Sequence, residues 1–382
     1  MNLKFAAYVD TPFQVLNILN FIYHNIEGCR YNCDLYFYKN FSGYDLMIDK
    51  LRDSRLFSNV IKCHLPINKN KGRLKNIIQQ LYEIFNPRKC IKTWTGNNYK
   101  EEYYDIILIP APLRFTVALC EINPKARVWF YEDGSVNYYG DVLNVFGSRK
   151  KKLLKDVFNK GPEKIVADRM YVNNVSMSKT TRGCSIYPLP KLESKEKKFF
   201  SLLYDVFGYV GNDIKKKAIF LSQPMEIMGC TKREILLYNS ILKELLPYKE
   251  NLGVKLHPKE RENKYFALNL IETGVFWELL CATEIADDNL LIGVFSTAQL
   301  TPKLLFDKEP YLIFTYKLVG FGKNAKNKAL DKFVDEFKSS YRNPNKVINV
   351  SSMEEYKNVL HDYFFNNFGE KKYDEFEFGK YT

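Results

Sequence analysis

The stretch Gly253-Val254-Lys255-Leu256-His257-Pro258 reads as a short strand that stops at a histidine held by the proline after it. A residue before proline is driven out of the helical region into extended backbone, so His257 sits at a strand tip on a stiff main chain. Of the four histidines, only this one has such a setting. His24 falls inside an expected helix, His64 at the end of an apolar strand, and His361 in a C-terminal helical run. The plain reading is a strand-end histidine bonded to a neighbouring loop. The catalytic reading gains weight from what surrounds it.

Outward from that strand, the second half of the chain alternates strands and helices. Strands are expected at 217–221, 253–256, 275–278, 290–295 and 310–315, with helices at 232–246, from Ser296 onward, and at 353–364. The first half follows the same logic. Leu3–Val9 is a strand, broken at Asp10-Thr11-Pro12, and Pro12 opens a helix to about residue 26. Strands at 34–38, 59–65, 104–109 and 126–131 alternate with helices at 44–52, up to Pro87, and from Leu113. The run 104–109 is continuously apolar, the mark of a strand buried on both faces. Such alternation predicts parallel, doubly wound sheets with right-handed crossovers. At 382 residues the chain is long enough for two domains. The basic, polar segment 147–198 ends in a linker, giving domains 1–190 and 191–382 facing a cleft. In such sheets ligands bind at the carboxyl ends of the strands.

Composition narrows the function. Apolar content of 46% with 26% charged residues fits a globular protein. No run approaches the ~20 consecutive apolar residues of a membrane helix. The sequence from Met1 lacks a basic region followed by a long apolar stretch and a cleavage site, so a cytoplasmic location is expected. The eight cysteines are scattered, and Cys29 and Cys33 have no second pair or histidine nearby, so no metal and no disulfide framework is expected. The net charge is +13, from 57 basic and 44 acidic residues. Basic residues bunch at 149–152 with Lys155, at 195–198 and at 215–217. Such excess suits solvated surface, an anionic membrane face or an anionic substrate. No zinc-finger spacing, aromatic RNA-binding signature or helix-turn-helix accompanies it, so nucleic acid is not an expected partner.

Three constellations carry chemistry. Tyr131-Glu132-Asp133-Gly134 places a carboxylate at a strand tip, with glycine leaving room for close approach; Asp133 can act as general base or simply make an Asp-Gly turn. Phe295-Ser296-Thr297-Ala298 marks a strand passing into a helix, where Ser296 or Thr297 caps the helix and its N–H groups suit a phosphate. His257-Pro258 is the third. Glycine-rich phosphate loops and dinucleotide fingerprints are absent, as is a serine-hydrolase elbow. A carboxylate on one domain, with a histidine and a capped helix start on the other, fits transfer from a nucleotide-activated sugar.

The ordered set Thr11-Pro12-Phe13-Gln14, Glu132-Asp133-Gly134, His257-Pro258, Glu278 in Val275-Phe276-Trp277-Glu278-Leu279-Leu280, and Phe295-Ser296-Thr297-Ala298 resembles bacterial glycosyltransferase family 52, typified by lipooligosaccharide α-2,3-sialyltransferases. These motifs are shared in part with bacterial polysialyltransferases. The resemblance implies a GT-B fold of two Rossmann-like domains, CMP-sialic acid as donor, inversion at the anomeric carbon, and neither metal nor cofactor. It places His257, as acid or as stabilising cation, on the departing donor phosphate with Ser296 and Thr297, puts Pro258 in the same donor site, and sets Glu278 on the ribose. Asp133 becomes base or acceptor anchor, with Thr11, Gln14, Glu132 and Gly134 on the acceptor side. Two positions depart from it. After the turn Ser222-Gln223-Pro224-Met225 the nearest carboxylate is Glu226, a second candidate base, and Lys259 stands where the family can carry arginine.

The expected function is therefore sialyl transfer to a cell-surface glycan of lipooligosaccharide or capsule, working peripherally at the inner face of the cytoplasmic membrane. A hexosyltransferase, a polysialyltransferase and a non-enzymatic polyanion-binding protein are the alternatives. A homodimer is left open.

Overall fold

Short apolar runs bounded by turn residues become two sheets of parallel strands. The computed structural model describes residues 3–26, 30–38, 43–66, 73–100, 103–139, 155–179, 183–193, 195–211, 216–260, 262–265, 267–271, 276–320 and 326–369. The chain divides into two compact units, Met1–Val210 with Leu304–Phe306, and Gly211–Lys303 with Asp307–Thr382.

The first unit holds β1 (Leu3–Val9), β2 (Tyr31–Tyr38), β3 (Asn59–Cys63), β4 (Ile106–Ile109), β5 (Arg127–Tyr131), β6 (Arg169–Val172) and β7 (Ser185–Pro188). They pair in parallel in the order β3-β2-β1-β4-β5-β6-β7. The strand order reverses beside β1, between β1 and β4, the place where doubly wound sheets bind ligands. All four residues of β4 are buried, as its unbroken apolar sequence requires. Buried tyrosines carry polar partners: Tyr36 and Tyr104 share a hydroxyl–hydroxyl bond of 2.7 Å, and Tyr104 donates to Asp34 at 2.8 Å. Much of the aromatic richness of the sequence thus lies in the core, where hydroxyls such as these are bonded inside.

The second unit repeats the plan with β8 (Ala218–Leu221), β9 (Leu252–Lys255), β10 (Asn269–Leu270), β11 (Leu290–Gly293), β12 (Tyr311–Phe314) and β13 (Val347–Asn349), in the order β10-β9-β8-β11-β12-β13. Here the reversal lies between β8 and β11. Gly293 ends β11 as glycine for a steric reason: a Cβ there would sit 2.9 Å from the side-chain oxygen of Gln299. Two doubly wound parallel-sheet units are the make-up of a GT-B chain, as the sequence led us to expect.

Several details differ from the sequence reading. β5 does not end the first sheet; β6 and β7 extend it inside the segment taken as basic and polar. Both strands are four residues long, and β7 is an edge strand with mostly exposed side chains, which removes its apolar signature. The units part between Val210 and Gly211 rather than at 190/191, because helix Lys197–Phe207 belongs to the first unit: Lys50 pairs with Asp205 at 2.7 Å and Tyr23 packs on Phe199. The strand expected at 275–278 is replaced by helix Trp277–Thr283, and the sheet edge is supplied instead by β10. Helices Pro87–Trp94 and Lys326–Ser339 and strand β13 were not anticipated. The basic run 149–152, Lys215, Cys29 and Val275 lie outside the described residues.

Candidate active site

In the first unit the carboxyl ends of β1 and β5 bring Thr11, Gln14, Glu132, Asp133 and Gly134 together. Thr11 caps helix Pro12–Asn25: its Oγ1 accepts the Gln14 backbone N–H at 3.2 Å, and Pro12 fills the first helical position. The Gln14 carboxamide is held at both ends. Its Oε1 accepts the Asp10 backbone N–H at 2.7 Å, which turns Nε2 onto Asp133 Oδ1 at 2.5 Å. Asp133 keeps solvent access while protein crowds its other sides. That crowding, with Asp10 nearby, pushes its carboxyl up to about 6 against the Gln14 bond. Gly134, at φ 134°, takes a backbone conformation that other residues rarely adopt.

Glu132 serves a different purpose from its neighbour. Its side chain is 0% exposed, accepting from the Tyr138 hydroxyl and from the Asn173 backbone N–H at 2.7 Å. Its own main chain pairs with Tyr171 and with the side chain of Asn17. Burial raises the carboxyl to about 7. Glu132 is therefore an internal pin that fixes the turn presenting Asp133, and its side chain does not reach the surface where an acceptor would bind.

In the second unit the turn after β8 ties the neighbouring strand ends together. Ser222 Oγ accepts the His257 backbone N–H at 2.8 Å. Its neighbour Gln223 reaches the other way. Gln223 Nε2 donates to the Phe295 carbonyl at 2.5 Å and Oε1 accepts the Phe295 N–H at 3.1 Å. Two consecutive side chains thus tie the end of β8 to both neighbours, Ser222 to the β9 end and Gln223, across the reversal point, to the β11 end. Beneath them Tyr238 accepts the Gln223 backbone N–H at 3.1 Å and shares a 2.9 Å bond with Tyr265.

His257 is half-buried, and its ring is oriented by its own turn. Nδ1 accepts the Lys259 backbone N–H at 3.1 Å, which puts the proton of the neutral ring on Nε2. Burial, and then Lys259, lower the imidazole below its ordinary value, with Glu260 opposing. Both features favour the neutral ring, with Nε2–H as its donor, over the charged one. Pro258 and Lys259 are exposed beside it.

Ser296 caps the ten-residue helix Thr297–Phe306. Its Oγ accepts the Ala298 N–H at 3.3 Å, and Gln299 Oε1 accepts the Ser296 N–H at 3.2 Å. Ser296 and Thr297 remain half-buried at the helix start, where the macrodipole favours an anion. Glu278 lies buried in the first turn of helix Trp277–Thr283, whose Trp277 Nε1 donates to the Ala298 carbonyl at 2.8 Å. Burial raises Glu278 to about 7, opposed by Lys255. Lys255 is itself buried, and burial lowers it to about 8. Glu226, by contrast, is exposed and ion-paired with Lys264 at 3.0 Å, which also holds Glu260 at 3.2 Å.

Sequence reasoning missed Lys255, Gln223 and the Tyr238–Tyr265 pair. Lys255 had a signal, a charged residue inside an otherwise apolar strand. Gln223 had none, since its partners come from a strand end 72 residues away. Among the described residues no three His, Cys, Asp or Glu side chains gather as a metal site would require.

Two doubly wound units, with an acidic turn on one and a histidine turn beside a capped helix on the other, are the equipment of a glycosyltransferase. Residues 6–311 match the family model described as alpha-2,8-polysialyltransferase (POLYST), and the chain belongs to that family. The bacterial sialyltransferase class expected from the motifs thus holds, through the polysialyltransferases that share them; family 52 itself is not the family matched. No curated protein matches the chain. Among solved structures it is similar to the GT-B domain of a sialyltransferase from Photobacterium damselae, at 14% identity and TM-score 0.46, over 91% of this chain and 99% of that one. It is also similar to UDP-GlcNAc 2-epimerase from Methanocaldococcus jannaschii, at 12% identity and TM-score 0.43, over 94% and 100%.

Proposed function

We propose that the protein is an inverting, metal-independent sialyltransferase that moves sialic acid from CMP-sialic acid to a hydroxyl of a cell-surface glycan. The observation that carries this reading is His257: its Nδ1 is occupied by the Lys259 N–H, leaving Nε2–H as a fixed donor. In this reading that donor meets the phosphate oxygen of the departing CMP. Ser296 and Thr297, at the start of the helix after β11, meet the same phosphate through hydroxyl and backbone N–H groups. Glu278 takes the ribose hydroxyls, and Lys255, two residues before His257, adds positive charge to the nucleotide pocket.

The acceptor oxygen attacks the anomeric carbon as the bond from that carbon to the phosphate oxygen breaks. The electron pair leaves with CMP, and the acceptor proton passes to the Asp133 carboxylate, held by Gln14. Stabilising the leaving phosphate lowers the barrier most, because the transition state resembles an oxocarbenium ion. Glu226 remains the alternative base, but its ion pair with Lys264 favours Asp133.

Family membership favours one acceptor class over a neutral glycan end: a chain already ending in sialic acid, which the enzyme extends. The +13 charge suits such a polyanion. Incubation with CMP-sialic acid and a sialylated primer, with a chelator present, tests both levels. Ladders of lengthening product support chain extension, and a single added residue supports capping. Transfer from UDP-hexoses but not from CMP-sialic acid would overturn the donor assignment.

A further inference from the structure

Helix Arg73–Phe85 sits on the first unit by its polar side. Glu83 is 6% exposed and accepts from Arg114 through Nε at 2.8 Å and through Nη2, and from Gln79, one turn earlier, at 2.9 Å. The Arg114 guanidinium lies 5.6 Å over the Trp94 ring and donates through Nη1 to the Pro66 carbonyl at 3.0 Å. Asn76, Gln79 and Ile84 are half-buried, and much of what remains is exposed. Ile77, Ile78, Leu81, Tyr82 and Phe85 recur at i, i+1, i+4, i+5 and i+8, the spacing of a single stripe, and they are 36% to 59% exposed. Phe85 meets Phe158 edge to face at 5.4 Å, and Phe158 and Val157 are exposed in turn. A surface helix ordinarily buries its apolar stripe and shows its polar one. Here most of the apolar stripe is exposed instead, and a large exposed apolar patch marks a contact surface.

We propose that this face is laid on an anionic bilayer surface. Exposed cations accompany the stripe: Lys75 on the same helix, Arg88, Lys89 and Lys92 on helix Pro87–Trp94 that follows at once, and Lys155 beside Val157 and Phe158. An apolar stripe with aromatic residues and a basic surround is the make-up of a helix lying in the headgroup region, its apolar side among the acyl chains and its cations on lipid phosphates. The thirteen residues of the helix are too few to span a bilayer, and no helix among the described residues is long and apolar enough to do so. Self-association through the same face fits less well, because a two-fold contact would set one basic surround against its copy. The proposal is independent of the donor assignment and gives the expected membrane contact a defined element.

Co-sedimentation of the purified protein with vesicles tests it. The protein should sediment with phosphatidylcholine vesicles containing about 30% phosphatidylglycerol, not with phosphatidylcholine alone, and less so as salt rises. The double variant Ile78→Glu/Leu81→Glu should bind about tenfold more weakly, with unchanged circular dichroism and melting. The charge variant Lys89→Glu/Lys92→Glu should lose preference for the anionic lipid. Equal vesicle binding by parent and double variant would overturn the proposal. So would a parent dimer that the double variant converts to monomer while vesicle binding persists, which would make the face a self-interface.

Discussion

The backbone N–H of Lys259 points at Nδ1 of His257, 3.1 Å away, and so decides which ring nitrogen carries the proton. Protonating Nδ1 would forfeit that bond, and burial with Lys259 already disfavours the charged ring. Nitrogen NMR of labelled histidine should find His257 neutral at pH 7, with its proton on Nε2 and a titration midpoint below that of an ordinary histidine. Removing the donor by His257→Ala should lower transfer about 100-fold or more while the melting temperature stays put. Full activity in that variant would remove His257 from the mechanism.

As the proposed base, Asp133 should set the acid limb of the rate profile. A base must be ionised, and its carboxyl is raised to about 6. Turnover should therefore rise as pH climbs through about 6 and level off above it. Asp133→Asn should abolish most turnover, and Gln14→Ala should shift the limb to higher pH, because the Gln14 bond favours the ionised form. An unmoved limb in Gln14→Ala would contradict this role.

Glu132 makes a stability prediction with a definite sign. The folded carboxyl holds its proton up to about 7, against 4.5 for the unperturbed group. Between those values the folded state binds more protons than the unfolded chain, so stability declines as pH rises across the window and is flat above it. Glu132→Gln cannot ionise. Its melting temperature should fall less than the parent's between pH 5 and 8, as differential scanning fluorimetry would read. Parallel curves would show that Glu132 is already ionised in the fold.

Much of this was legible because each signal is local. Thr11-Pro12 announces a capped helix, the strand at 290–295 ends before a Ser-Thr helix cap, and His257-Pro258 stops a strand; the structure carries all three. What escaped the sequence depends on distant partners or on very short elements. Glu132 and Asp133 are adjacent acids in one turn, yet one is sealed inside by Tyr138 and Asn173 while the other faces solvent. The segment 275–278 has a strand's apolar character, but from Trp277 onward the chain buries as a helix, whose Trp277 bonds to Ala298. Tertiary partners decided both cases.

Gln223 carries the second stability prediction. Gln223→Leu leaves the buried Phe295 N–H and carbonyl without the carboxamide that now bonds both. Each orphaned group costs about 1–3 kcal/mol, so urea unfolding should show a loss of about 3 kcal/mol. Donor affinity should drop with it, because Phe295 leads directly into Ser296. A variant as stable as the parent would mean that the bridge is dispensable.

The central claim is a CMP-sugar site organised by His257, and nucleotide-dependent melting tests it most directly. CMP, UDP, GDP and ADP would be compared on the purified protein with a chelator present. At about 100 times its dissociation constant a bound nucleotide adds roughly 2.7 kcal/mol, a clear rise in melting temperature. The account predicts a rise with CMP alone, lost in His257→Ala. A rise with UDP instead, or a CMP effect that His257→Ala leaves intact, would contradict it.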